Sequence, residues 1–187
     1  MKTAVLIVNV GTPDKPEVKY VRRFLTQFLN DRRVIDLPWL LQKILVNLII
    51  VPFRAPKSTK LYKLLWSINN SPLLHYTLQT KNKLEEILPN NYRVFAAMRY
   101  GNPSLSHTLK QIQKEGYDKL TVIPQFPQYA SSSTGTVNAF IMNKLKHWNN
   151  IPTVQFINQF YEHPVFIDAF AQRAFEHDYK RFYNILF

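Results

Sequence analysis

Thr3-Ala4-Val5-Leu6-Ile7-Val8-Asn9-Val10-Gly11-Thr12-Pro13 is an apolar run without alternation that ends on a glycine, a threonine and a proline. Alternation marks a strand with one wet face. A continuous run marks a strand covered on both faces, as in a parallel sheet. The segments that follow fit that sheet. Pro16–Leu29 has helical apolar spacing at Val18, Val21, Phe24, Leu25 and Phe28. Lys57–Trp66 and Leu73–Leu88 read as two more helices, parted at Ser71-Pro72 because the residue before a proline avoids the helical region. Strands are predicted over Tyr92–Met98, Lys119–Phe126 and Thr153–Phe160. Between and after them come helices over Leu105–Glu115, from Ser131–Gly135 through Lys146, and over His163–Tyr179. Ser104 is placed to cap the first of these and Gly116 to end it. Phe182–Phe187 reads as the start of one more strand. The expected fold is α/β: a layered lobe with a mostly parallel sheet flanked by helices.

The chain has 187 residues, enough for one domain with a real core, and 46% of them are hydrophobic, which excludes a disordered tail. There is no cysteine. Disulfides, thiolate zinc sites and cysteine-bound iron–sulfur clusters are therefore excluded within it, and a reducing compartment is allowed. The first residues carry one charge and a short apolar run with no small-residue cleavage site after it, so no signal peptide is expected.

The net charge is +12, and it is uneven: residues 1–100 carry +10 and the rest +2. Inside the basic zone lies Leu37–Phe53, apolar apart from Gln42, Lys43 and Asn47 and bounded by Pro38 and Pro52. It reads as too short and too broken for a spanning helix. A basic surface around a Trp-bearing apolar segment suits an anionic membrane face; a buried core helix is the competing reading. A nucleic-acid partner is not expected, since no RG-rich tract, zinc finger or recognition helix accompanies the charge.

In parallel sheets ligands sit beyond the carboxyl ends of the strands. The polar residues there are Asn9, Gly11 and Thr12, then Arg99 and Tyr100, then Gln125 with Gln128-Tyr129, then Gln159 and Tyr161. Arg99-Tyr100-Gly101 offers a planar fork for a carboxylate, or is a surface loop charge. Arg54-Ala55-Pro56-Lys57 sets two cations beside an apolar wall, which suits a flat hydrophobic molecule with acidic arms; a solvated helix start is the alternative. Ser71 is either part of a turn or a donor into a cleft. Ser131–Gly135 is either a plain cap or an anion site at a helix start. The five histidines show no metal-ligand spacing, so no metal site is expected. There is no GxSxG and no GxxxxGK[ST], and four glycines leave little room for a phosphate loop.

Val8-Asn9-Val10-Gly11-Thr12-Pro13, Asp31-Arg32-Arg33-Val34-Ile35-Asp36-Leu37-Pro38, Arg54-Ala55-Pro56-Lys57-Ser58, Ser71-Pro72-Leu73, Ala97-Met98-Arg99-Tyr100-Gly101-Asn102-Pro103-Ser104, and Pro127-Gln128-Tyr129 with Ser133-Thr134-Gly135 together resemble ferrochelatase, in that family's order and spacing. The resemblance implies a lyase that inserts Fe²⁺ into protoporphyrin IX to form haem, built from two α/β lobes around a cleft. Residues 1–160 would be the amino-terminal, chelatase-like three-layer lobe, and 161–187 the return toward a second lobe that is missing here. Porphyrin-lining positions carried over are Val10, Arg54, Tyr62, Ser71, Arg99 and Tyr100. Val10 sits where one branch of the family carries an iron-contacting tyrosine. The family's catalytic His and Glu lie beyond Phe187, so no catalytic residue is assigned and the chain alone is expected to be inactive. The resemblance further implies no resident cofactor, Fe²⁺ as substrate, a cytoplasmic location, and a membrane-resting lip at Leu37–Phe53.

Overall fold

The computed structural model describes residues 1–66 and 71–176. Strands β1 (Thr3–Thr12), β2 (Tyr92–Gly101), β3 (Lys119–Pro124) and β4 (Thr153–Phe156) form one sheet in the order β2-β1-β3-β4. Every pairing is parallel. The chain's first strand is thus an inner one, with both edges paired, and its residues Thr3 to Val8 are all buried. Its side chains alternate between two covered faces. Ala4, Leu6 and Val8 enter a core with Leu105, Leu109, Ile112, Val137 and Ile141. A second core joins Val21, Phe24, Leu25 and Leu29 to Val46, Val51, Ala55 and Tyr100.

The helices are α1 (Val18–Leu29), α2 (Trp39–Ile44), α3 (Val51–Leu65), α4 (Pro72–Ile87), α5 (Leu105–Glu115), α6 (Thr136–Leu145) and α7 (Pro164–Glu176). Ser104 caps α5 as expected, its hydroxyl accepting the His107 N–H, and Gly116 ends it at φ 64°. Strands β3 and β4 stop earlier than expected, at Pro124 and Phe156. Pro124 has no N–H to extend a ladder. The expected strand at Phe182–Phe187 and the end of the expected helix at Tyr179 lie outside the described residues.

The apolar segment differs most from expectation. Pro52 does not bound it. Helix α2 passes through a π-helical turn at Leu45–Ile50 directly into α3, giving one helix over Trp39–Leu65. The expected start at Lys57 falls inside it, and Arg54-Ala55-Pro56-Lys57 is helix rather than a joint. A proline ring strikes the carbonyl four residues back. For Pro52 that carbonyl belongs to Leu48, inside the wider π turn, where the regular spacing is already relaxed. With 27 residues the helix is long and apolar enough to cross a membrane by length and composition, which corrects the reading of it as too short and too broken.

The core-helix reading of this segment also fails for most of its length. Only Gln42, Val46, Val51, Ala55 and Thr59 are buried. Trp39, Leu40, Leu41, Ile44, Leu48, Ile49 and Phe53 are between 44% and 71% exposed.

Candidate functional site

Two glycines shape the carboxyl end of the sheet. Gly11 (φ 114°) pairs with Tyr100, and Gly101 (φ 89°) pairs with Thr12. A Cβ on Gly11 would lie 1.7 Å from the Tyr100 carbonyl oxygen, and one on Gly101 2.6 Å from that of Thr12. Only residues without a Cβ let the two strands close here.

Beyond this closure opens a cleft of about 410 Å³. Val10, Gly11 and Thr12 form its floor. Phe24 and Phe28 come from α1, Tyr62, Leu65 and Trp66 from the end of the long helix, and Ser71, Pro72 and Leu73 from the start of α4. Its lining is mostly apolar. A neighbouring, more polar cavity of about 370 Å³ shares Thr12, Trp66 and Ser71 with it and adds Asp14 and Asn102, whose amide donates to the Asp14 carboxylate at 2.9 Å. Three of the expected residues, Val10, Tyr62 and Ser71, therefore meet in one place. Tyr62 packs edge-on to Phe24 at 6.4 Å and to Trp66 at 6.3 Å. Burial raises its pKa, and the charge of Arg54 opposes that rise. Arg54 lies two helical turns before Tyr62 and is exposed. It is not part of the cleft lining; it sits about 12 Å before Tyr62 along the axis of the helix that supplies the aromatic wall.

Arg99 and Tyr100 sit elsewhere. Tyr100 is 3% exposed, behind Phe28, with ring centroids 5.3 Å apart. Its hydroxyl donates to Asp31 Oδ2 at 2.9 Å. Arg99 Nη2 donates to the same oxygen at 2.7 Å, and its Nε donates to Thr136 Oγ1 at 2.9 Å. The guanidinium lies 4.6 Å from the Tyr100 ring centre and 4.5 Å from that of Phe140. Thr136 Oγ1 donates to Asp31 Oδ2 at 2.5 Å, and Asp31 Oδ1 accepts the Arg33 N–H at 2.8 Å. Burial pushes the Asp31 pKa up, but the hydrogen bonds from Thr136, Arg33 and Tyr100 and the charge of Arg99 outweigh it, and the carboxyl is held below its ordinary value. Burial drives Tyr100 up to about 12, against the pull of Thr136 and Arg99. Asp31 and Thr136 were not singled out from sequence. Asp31 belongs to the Asp31–Pro38 motif, but nothing local in the sequence shows that it meets Arg99.

Ser131–Gly135 forms a π-helical turn leading into α6, and Arg33 Nη1 donates to Ser131 Oγ at 3.3 Å. Among the described residues, no group of three or more His, Asp or Glu side chains is arranged to hold a metal ion.

A parallel α/β lobe with an apolar, aromatic cleft beyond the carboxyl end of an inner strand is an α/β domain with its cleft where sheets of this class carry their ligand sites. The family follows from comparison with known proteins. The ferrochelatase family profile matches residues 2–186, and the chain belongs to that family. Ferrochelatase 2 of Shewanella oneidensis is 41% identical over 171 residues, covering 90% of this chain and 52% of that protein. Ferrochelatase of Legionella pneumophila (strain Corby) is 38% identical over 172 residues, covering 92% and 51%. That of Francisella tularensis subsp. tularensis (strain WY96-3418) is 41% identical over 178 residues, covering 94% and 53%. The chain spans about half the length of the curated relatives it matches.

Proposed function

We propose that this chain forms the porphyrin-holding wall of a ferrochelatase, the lyase that inserts Fe²⁺ into protoporphyrin IX in haem formation. The observation that carries the reading is the apolar cleft at the end of β1, where Val10, Tyr62 and Ser71 converge under an aromatic wall. A tetrapyrrole presents a flat apolar face and two carboxylate arms. The cleft offers Phe24, Phe28, Tyr62 and Trp66 to the face and Ser71 as a hydroxyl; Arg54, outside the lining on the same helix as Tyr62, is proposed as the fork of donors for a carboxylate arm that reaches past it. Insertion also needs the ring distorted and two pyrrole protons removed by a base. Among the described residues lining the two cavities there is no histidine, and the one carboxylate, Asp14, is already hydrogen-bonded to Asn102. We assign no catalytic residue, and propose that this chain alone holds porphyrin without turnover.

We further propose that the exposed apolar face of Trp39–Leu65 rests on a membrane from the cytoplasmic side. Its Arg54, Lys57, Lys60 and Lys63 are exposed and suit anionic headgroups. No resident cofactor and no iron–sulfur cluster belong to this reading.

Optical titration with protoporphyrin IX tests the wall, and zinc insertion into a soluble porphyrin tests the chemistry. The expected results are a saturable shift of the porphyrin absorption band and no insertion above the uncatalysed rate. Absence of saturable binding removes the porphyrin reading. Turnover comparable to that of a full-length relative removes the inactivity reading and requires a base among the residues present.

A further inference from the structure

We infer that the consecutive residues Leu29, Asn30 and Asp31 are a clasp that fixes the long apolar helix against the sheet, with Asp31 a positioning residue and Arg99 its internal counter-charge rather than a ligand contact. Each member grips a different element. The Leu29 carbonyl accepts from Gln42 Nε2 at 3.2 Å, and Gln42 is 1% exposed. Asn30 and Asn47 exchange amide hydrogen bonds at 3.0 and 3.3 Å. Asn47 lies in the π turn and also donates to the Lys43 carbonyl at 2.9 Å. Asp31 reaches across to the end of β2 and the start of α6 through Arg99, Tyr100 and Thr136. A half-buried carboxylate that draws on this many donors loses stability when any of them is removed.

The clasp bears on the cleft from both sides. Phe28, one residue before it, lines the cleft and packs on Tyr100. The helix it holds ends in Tyr62, Leu65 and Trp66, the opposite wall. The distance between the walls is therefore set where α1 gives way to the long helix. Arg99 is already paired with Asp31 at 2.7 Å, so a second carboxylate there has to compete with Asp31 for the same charge.

The ligand arm of the test rests on the proposed porphyrin site; the exchange arm does not. In the whole chain, Asp31→Asn keeps the shape and removes the charge. Asp31 bonds to Arg99, Tyr100 and Thr136 rather than to 39–65, so its loss reaches that helix through Leu29 and Asn30. Hydrogen exchange across residues 39–65 is expected to quicken about fivefold, the equivalent of one net hydrogen bond lost at the anchor, while β1 and β3 keep their protection. Unchanged exchange over 39–65 overturns the clasp. Titration with protoporphyrin IX then separates the two roles of Arg99 by sign. If Arg99 is a counter-charge, Asp31→Asn weakens binding. If Arg99 is a carboxylate contact, removing its competitor tightens binding, and the inference falls. Should Asp31→Asn fail to fold, Asn47→Ala breaks the amide pair without orphaning a charge and is expected to quicken exchange over the same residues; no change there overturns the clasp. A wild-type chain that ignores protoporphyrin while Asp31→Asn still loosens 39–65 removes the porphyrin reading and supports the clasp.

Discussion

Leu48→Gln and Val46→Gln place the same polar side chain on opposite faces of one helix, two residues apart. Leu48 is 69% exposed and Val46 is 0% exposed. Full burial of a leucine side chain contributes about 2 kcal/mol. Scaled by the exposed fraction, moving Leu48 into the acyl boundary contributes about 1.4 kcal/mol, or roughly tenfold in partitioning. Leu48→Gln forfeits that at a mostly exposed site, so its melting temperature is expected to stay within a few degrees. Adding Phe53→Gln, at a site 71% exposed, brings the loss to roughly a hundredfold if the two sites act independently. Val46→Gln loses about 2 kcal/mol of apolar burial and buries an amide at about 1–3 kcal/mol more. A chain of this length loses about 2–4 °C per kcal/mol, so a fall of about 10 °C is expected. Sedimentation with neutral and with anionic vesicles, at low and high salt, reads the first effect, and a thermal melt reads the second. Wild-type binding should be stronger on anionic vesicles and fall with salt. Unchanged vesicle binding by Leu48→Gln, together with a collapsed melt, would show that this face is internal and refute the membrane reading.

Three further outcomes are expected. Arg54→Ala weakens protoporphyrin IX binding by about 1–3 kcal/mol, the value of a charge-assisted hydrogen bond, without lowering the melting temperature; equal binding by the two proteins removes Arg54 from the site. Gly11→Ala forces a side chain into the Tyr100 carbonyl, so stability falls by more than the roughly 1–2 kcal/mol of a left-handed backbone alone; a wild-type urea midpoint would contradict the close approach. The folded pKa of Asp31 lies below 3.8, so its stabilisation is complete above that value and fades as pH falls through the folded pKa. Urea titrations should show wild type losing more stability than Asp31→Asn on acidification below about pH 4, and parallel profiles would refute the linkage.

The β1 run could be read from sequence because burial on both faces leaves a mark in every residue, not every second one. The α5 helix was legible because Ser104 and Gly116 act locally. Strand order was not, since parallel neighbours are separated by whole helices: β1 pairs with strands that begin at Tyr92 and Lys119. In the sequence Pro52 reads as a boundary because the rule for proline assumes regular α spacing, and the π turn before it removes that assumption. The site divides the same way. Val10, Tyr62 and Ser71 came together at a strand end and two helix ends. Arg99 was read as a free cation because the carboxylate that neutralises it is 68 residues away and the threonine that completes the network is 105 from that carboxylate.

Two arginines were read alike in the sequence, and the fold gives them opposite electrostatic positions. Arg99 is 16% exposed and paired with an Asp31 that is 12% exposed, so both have lost water and each depends on the other. A ligand carboxylate entering there would compete with Asp31 and place a second negative charge beside it. Arg54 keeps its hydration on the outer surface of a helix, and its field still reaches the Tyr62 hydroxyl at the cleft. A carboxylate arm meeting Arg54 displaces water rather than an existing partner. On the proposed reading, Arg99 is the cation that holds the walls at their spacing and Arg54 the one left available to a ligand's carboxylate. That division follows from where the two residues sit, on an inner strand end and on an exposed helix, and not from the residue type they share.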